Sequence, residues 1–145
     1  MDRFAERLAA QARHDALELE FVRGSEARFG TVNMPRLDVS AGPNRLTLWP
    51  DDEELVWARA SVMSASAGGR VDTDEVDTYV DDVTIRLFVM LLKGEGRVIH
   101  RWLRRDMYEV SHGKVSRWLP VAGRTTVLER ILYWPAKLDR DWDSG

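Results

Sequence analysis

The side chains able to do chemistry are few and dispersed. The chain has three histidines, His14, His100 and His112, and no cysteine. None of the histidines stands in an H-x-x-x-H or H-E-x-x-H spacing, so no helical metal-binding pair is written here. His14 and His112 fall near the ends of predicted helices, where a protonated imidazole favours the helix dipole without any catalytic role. His100 lies among arginines. The acidic run Asp72, Asp74, Glu75, Asp77, Asp81 and Asp82 offers oxygen ligands for a hard cation, but Asp77 stands where an EF-hand loop needs glycine. A solvated acidic loop is the expectation. Gly94-x-Gly96 sits between two predicted elements, as a dinucleotide loop does, yet Ile99 takes the third glycine's place and no acid follows about twenty residues later. A tight turn is the simpler reading. Gly113-Lys114 lacks the upstream glycine of a P-loop. Ser25, Ser40, Ser64 and Ser66 lie near turns, but no G-x-S-x-G elbow is present. These residues point away from an enzyme, and they call for no cofactor and no metal.

Two other groups suit contact better than catalysis. Arg97, Arg101, Arg104 and Arg105 share one face of a predicted helix over 97–112. A solvated face is the default, with phosphate or an acidic partner as alternatives. The same chain carries acidic blocks at 51–54 and 72–82, with Asp72, Asp74 and Asp77 in the second. A basic face and an acidic loop on one domain can pair between neighbouring copies, head to tail, and close a ring. The six tryptophans are Trp49, Trp57, Trp102, Trp118, Trp134 and Trp142. Trp102 falls on the apolar stripe of the predicted helix and is expected in the core. Trp142 lies in a polar tail that cannot bury it locally, so it is a candidate anchor on a neighbour.

The elements that must position these groups follow from periodicity. Residues 2–15 read as a helix, with Phe4, Ala5, Leu8, Ala9 and Ala12 at three- and four-residue spacing. Alternation then predicts a strand from Leu17 to Val22 and a loop over 24–33. Short strands follow at 36–40 and 45–49, joined by the turn Ala41-Gly42-Pro43-Asn44. After Pro50 a short acidic turn leads into a strand from Val56 to Met63. Residues 64–77 read as a loop or hairpin tip. The alternation of Val83, Ile85, Leu87, Val89 and Leu91 predicts the main strand over 80–92. The helix over 97–112 comes next, with Gly113 as its left-handed cap. Strands at 114–119 and 126–134, separated by a turn at 120–123, close the chain.

This order implies an α+β fold, a mostly antiparallel sheet with two principal helices packed on it. One domain over 1–135 and a polar tail over 136–145 are expected. At 145 residues, 44% hydrophobic and 31% charged, the composition is that of a globular domain and not of a disordered one. The net charge of -3 argues against a dedicated, sequence-specific nucleic-acid binder. The charged N-terminus lacks the apolar stretch of a signal peptide, and no run approaches the ~20 apolar residues of a membrane span. A protein made in the cytoplasm, without membrane contact, is the expectation.

The order of elements resembles the tail-terminator and neck proteins of long-tailed bacteriophages. The features that carry the resemblance are the amphipathic N-terminal helix, the strand Pro35-Arg36-Leu37-Asp38-Val39, the alternating stretch 83–91, the glycine turn into 97–112 and the closing stretch 126–134. The resemblance implies a small α+β subunit that closes a ring, often a hexamer, against other tail or neck proteins within a virion. A different class is also open: a nuclear-transport-factor-like cone that holds a small ligand, or as a small enzyme does acid/base chemistry, in an apolar pocket lined by Trp57, Tyr79, His100 and Tyr108.

Overall fold

A computed structural model describes residues 2–28, 30, 32–51 and 54–123. Its first element is helix α1 (Asp2–His14), followed by strands β1 (Glu20–Arg28), β2 (Val32–Ala41), β3 (Asn44–Pro50), β4 (Leu55–Ser64), β5 (Gly69–Asp72) and β6 (Val76–Tyr79). Helix α2 (Asp82–Leu92) then leads to β7 (Arg97–Ile99), β8 (Met107–His112) and β9 (Val115–Pro120). All strand pairs among the described residues are antiparallel. The first sheet runs β1-β2-β3-β4-β5, with β6 also on β4, and the second runs β7-β8-β9. The α+β class, with sheet predominant and two helices among the described residues, is therefore as the sequence implied.

Sequence periodicity explains most of the first sheet. In β2 to β4 the residues Leu37, Val39, Leu46, Leu48, Ala58, Ala60 and Val62 are buried on one face. The register places Leu37 opposite Leu48 and Leu48 opposite Ala58, so this face is a continuous apolar layer. α1 covers part of it with Phe4, Ala5, Leu8 and Ala12. α2 lies beside α1, where Phe4 meets Phe88 edge to face at 6.2 Å between ring centres. Emptying the Leu8 site with Leu8→Ala would cost about 2–5 kcal/mol, because the side chain is fully buried. Two-residue turns join β2 to β3 and β8 to β9. Gly42 (φ +58) and Gly113 (φ +62) supply the left-handed first residue in each. Pro35 is tolerated in β2 because β3 pairs with β2 only from Leu37 onward, so no ladder bond from its nitrogen is missed on that side.

Four expectations are corrected. Residues 82–92 form a helix, not the main strand. The alternation was real but sat inside an apolar run that fits either period, and α2 is apolar nearly all round because the sheets and α1 enclose it. The deciding signal is Asp81, whose carboxylate accepts from the Thr84 amide at 2.7 Å and caps the helix. Residues 97–112 are not a helix. They form β7, a turn and β8, and Gly113 opens the hairpin to β9 instead of ending a helix. The expected loop over 24–33 is largely strand, since β1 continues to Arg28 and β2 begins at Val32. Residues 64–77 contain β5 and the start of β6 as well as a hairpin tip. The strand expected at 56–63, the turn at 41–44 and the strand at 114–119 are found with small shifts of boundary. The stretch 126–134 and the tail 136–145 with Trp142 lie outside the described residues.

Polar pins hold the layers in register. Asn44 is buried, its amide nitrogen donates to Leu92 O at 2.8 Å, and its oxygen accepts from the Met63 amide at 2.7 Å. It thus ties β3, β4 and the end of α2 together. Gly94 (φ +78) follows the helix, and a Cβ there would lie 2.7 Å from Met63 O. Gly96 (φ +135) passes against the ring of buried Tyr108, whose hydroxyl donates to Glu95 O at 3.1 Å. The Gly94-x-Gly96 spacing is therefore required by a helix-to-strand turn that brings backbone against a neighbour.

Candidate functional site

The face of the first sheet opposite α1 and α2 carries the polar half of each alternation. On β1 this is Glu26 and Arg28, on β2 Arg36 and Asp38, on β3 Thr47 and Trp49, and on β4 Trp57 and Arg59. At its centre Trp49 is only 1% exposed, although among the described residues no helix covers it. Arginines cover it instead. The Arg28 guanidinium lies 3.9 Å from the ring centre, Arg59 at 5.5 Å and Arg36 at 5.9 Å. Trp49 Nε1 donates to Glu26 Oε2 at 2.8 Å. Arg36 donates to Asp38 at 3.2 Å and to Glu26 at 3.4 Å, and the Thr47 hydroxyl donates to Asp38 at 3.0 Å. Arg28 also pairs with Glu75. Burial pushes the Arg28 guanidinium below its ordinary range; Glu26 opposes this and Arg59 adds to it.

A polar groove of about 570 Å³ continues from this cluster. Arg45, Thr47, Arg59 and Ser61 form one wall. Cross-strand pairing sets Arg45 opposite Ser61 and Thr47 opposite Arg59, so guanidinium and hydroxyl alternate. Asp72, Thr73, Asp74 and Glu75 form the other wall. Thr73 is buried and its hydroxyl accepts from the Ala60 amide at 3.0 Å, which fixes that wall to β4. Arg105 pairs with Asp74 and so fastens the β7–β8 turn to the end of the groove.

That turn is braced from within. His100 Nδ1 lies 3.0 Å from Asp106 Oδ2, Arg101 Nε donates to Arg105 O at 3.0 Å, and the Arg104 amide donates to Arg101 O at 3.2 Å. The bracing presents Trp102 and Leu103 to solvent, 85% and 51% exposed. Leu103 holds φ +55, a left-handed conformation that costs a branched apolar residue about 1–3 kcal/mol. A strained backbone thus holds two large apolar side chains outward between arginines. Trp102 is accordingly not a core residue, as the helical stripe had implied.

The arginines expected to share a helix face are distributed otherwise. Arg97 is on β7 and pairs with Glu109 at 2.9 Å. Arg101, Arg104 and Arg105 belong to the turn. Asp74, expected to meet arginines of a neighbouring copy, is paired with Arg105 of its own chain. Asp72 and Asp77 are exposed on β5 and β6, and Trp142 lies outside the described residues. Two of the histidines do converge: His14 and His112 line one shallow groove with Asp15, Arg86, Lys93 and Glu95. Among the described residues no three of His, Asp and Glu are placed to hold a metal ion. The four residues suggested for an apolar pocket face different surroundings: Tyr79 and His100 are exposed, Trp57 is half-buried and Tyr108 is fully buried.

Sequence reasoning missed Trp49 and the arginines over it. The signal was the polar half of each strand, where Arg28, Arg36 and Arg59 recur with Glu26 and Asp38, and only pairing between strands brings them together. Among the described residues no helix is long and apolar enough to cross a membrane. Comparison with family models, curated proteins and solved structures finds no significant match to this chain.

Proposed function

We propose that this chain is a structural subunit of a larger assembly that works through protein–protein contacts and not through catalysis. The observation that carries the reading is the Trp102–Leu103 turn. Tryptophan and arginine are the residues most enriched at the energetic centres of interfaces. Here a tryptophan and a leucine project from a braced, strained turn, with Arg101 and Arg104 beside them. Neither apolar side chain helps the fold by standing in water, and the bracing lowers the ordering cost of docking. The polar groove joined to the turn by Arg105 and Asp74 gives the same surface a charged rim.

A ring subunit of the tail-terminator or neck type, with other tail or neck proteins as partners, is the setting suggested by the sequence resemblance. Stretches 83–91 and 97–112, which helped to carry it, have exchanged strand and helix. The assembly reading therefore rests on the exposed turn and no longer on element order. Electron microscopy of the purified protein tests it. Closed rings that disappear in Trp102→Ser support the reading. Particles no larger than a dimer, or rings that persist in Trp102→Ser, count against it.

A further inference from the structure

The polar groove beside the Trp49 cluster has an uneven charge balance once its internal pairs are set aside. Of the acids on its far wall, Asp74 is paired with Arg105 and Glu75 with Arg28. Of its arginines, Arg36 is held by Asp38 and Glu26. Arg45 and Arg59, on the opposite wall, have no carboxylate partner among the described residues. Neither has Arg70, whose two terminal nitrogens donate to Ser61 Oγ at 2.8 Å and to Pro43 O at 3.1 Å. Among the described lining residues, Asp72 is the acid left without a cation.

Strand pairing gathers these groups around Ser61. Ser61 stands opposite Arg45 on β3 and opposite Asp72 on β5. Arg59 is two positions before Ser61 on the same face of β4. It is therefore diagonal to Arg45, at roughly 7–8 Å between Cα atoms, a separation that long side chains close. Arg59 also rests over the Trp49 ring at 5.5 Å, which orders it before anything binds. Because Ser61 Oγ accepts from Arg70, its proton remains to be donated. Three guanidinium groups thus outnumber one carboxylate around a hydroxyl that lines an open groove of about 570 Å³, a size that suits a small molecule.

We infer that this groove binds a phosphate monoester of a sugar or similar polyol, with the phosphate between Arg45, Arg59 and Ser61 and the ligand's hydroxyl groups toward Asp72. Guanidinium groups are planar forks that match phosphate oxygens in pairs, and these two break no ion pair when they turn to a ligand. The rest of the lining sets the other half of the ligand. Among the described lining residues none is aromatic, so a nucleobase finds no face to stack on. Asp72 is a pure acceptor that suits ligand hydroxyls, and it repels a second phosphate. The site uses none of the turn residues 101–104 and does not rest on the assembly reading.

Isothermal titration calorimetry of the full chain with glucose 6-phosphate, inorganic phosphate and glucose tests the inference. The expected result is saturable binding of glucose 6-phosphate with a Kd of about 1 mM or tighter, weaker binding of inorganic phosphate and none of glucose. Arg45→Gln and Arg59→Gln should each raise that Kd about tenfold or more, since each removes a charge-assisted contact. Arg13→Gln removes the same charge from exposed α1 surface and should leave the Kd unchanged. Arg45 and Arg59 are themselves exposed, and unfolding midpoints verify that each variant is folded. Absence of saturable binding of glucose 6-phosphate, or a Kd that responds no more to Arg45→Gln and Arg59→Gln than to Arg13→Gln, overturns the inference. Equal affinity for glucose 6-phosphate and inorganic phosphate overturns the assignment of a polyol. The same titration on Trp102→Ser should match the wild type, so failure here is distinct from failure of the assembly reading.

Discussion

Replacing Gly96 by alanine tests whether the Gly94-x-Gly96 spacing serves the fold. The backbone at φ +135 is a conformation nearly confined to glycine, and forcing a Cβ residue there costs about 1–3 kcal/mol. The new methyl would stand 2.7 Å from Cε1, Cζ and Oη of Tyr108. Tyr108 is wholly buried and its hydroxyl is held by Glu95 O, so the ring cannot swing into solvent. Overpacking of this kind adds about 1–3 kcal/mol. Together the two effects predict a loss of about 2–6 kcal/mol, a large share of the ~5–15 kcal/mol of a typical domain. Urea unfolding reads it as a lower midpoint at unchanged slope. Combining Gly96→Ala with Tyr108→Leu separates the parts, because the smaller side chain removes the clash and leaves the backbone strain. The double change should then cost less than the sum of the two single ones by about 1–3 kcal/mol. Gly24→Ala is the control: with open space around it and no positive φ, it should be neutral or slightly stabilising. A Gly96→Ala midpoint matching the wild type would refute the close approach, and with it the structural account of the glycine pair.

Other perturbations have equally definite outcomes. Asp81→Ala removes the cap of α2 and should lower stability by about 1 kcal/mol, whereas Asp82→Ala, which breaks only an exposed pair with Arg7, should cost less than about 0.5 kcal/mol; paired urea melts compare them. Asn44→Ala leaves Leu92 O and the Met63 amide without their buried partner and should cost about 2–4 kcal/mol by the same assay. Burial raises the Tyr108 phenol above its ordinary value; a hydrogen bond from Ser64 works against this and Glu95 adds to it. The neutral phenol is thus favoured in the folded state, so stability from this source is complete below pH ~10 and declines as pH rises through the folded value. Unfolding midpoints measured up to that range should fall in the wild type, and less steeply in Tyr108→Phe.

How much of this was legible in the sequence depended on whether one period stood alone. α1 was readable because Phe4, Leu8 and Ala12 recur without a competing alternation. β2, β3 and β4 were readable because Leu37 and Val39, Leu46 and Leu48, and Val56 to Val62 each alternate with polar residues. α2 was not, since a stretch apolar at nearly every position satisfies both periods, and only the cap at Asp81 distinguishes them. The error at 97–112 was of the opposite kind. Val98, Trp102 and Val110 fell by chance on a helical stripe, while Met107, Tyr108 and Val110 lie in a short strand whose partner is set by the Gly113 turn. At the candidate site, tryptophan and arginine were picked out by type, and their neighbours were not. Trp102 left the core for the surface, Arg105 met Asp74 inside one chain, and Trp49 found its arginines only through strand pairing.

The measurement closest to the central claim is the native mass of the wild type and of Trp102→Ser by light scattering, over a range of concentrations and at low and high salt. The account predicts a wild-type particle larger than a dimer that weakens as salt screens its charged rim. It predicts that Trp102→Ser falls to a dimer or smaller with an unchanged unfolding midpoint. The same mass for both proteins under every condition would contradict the account.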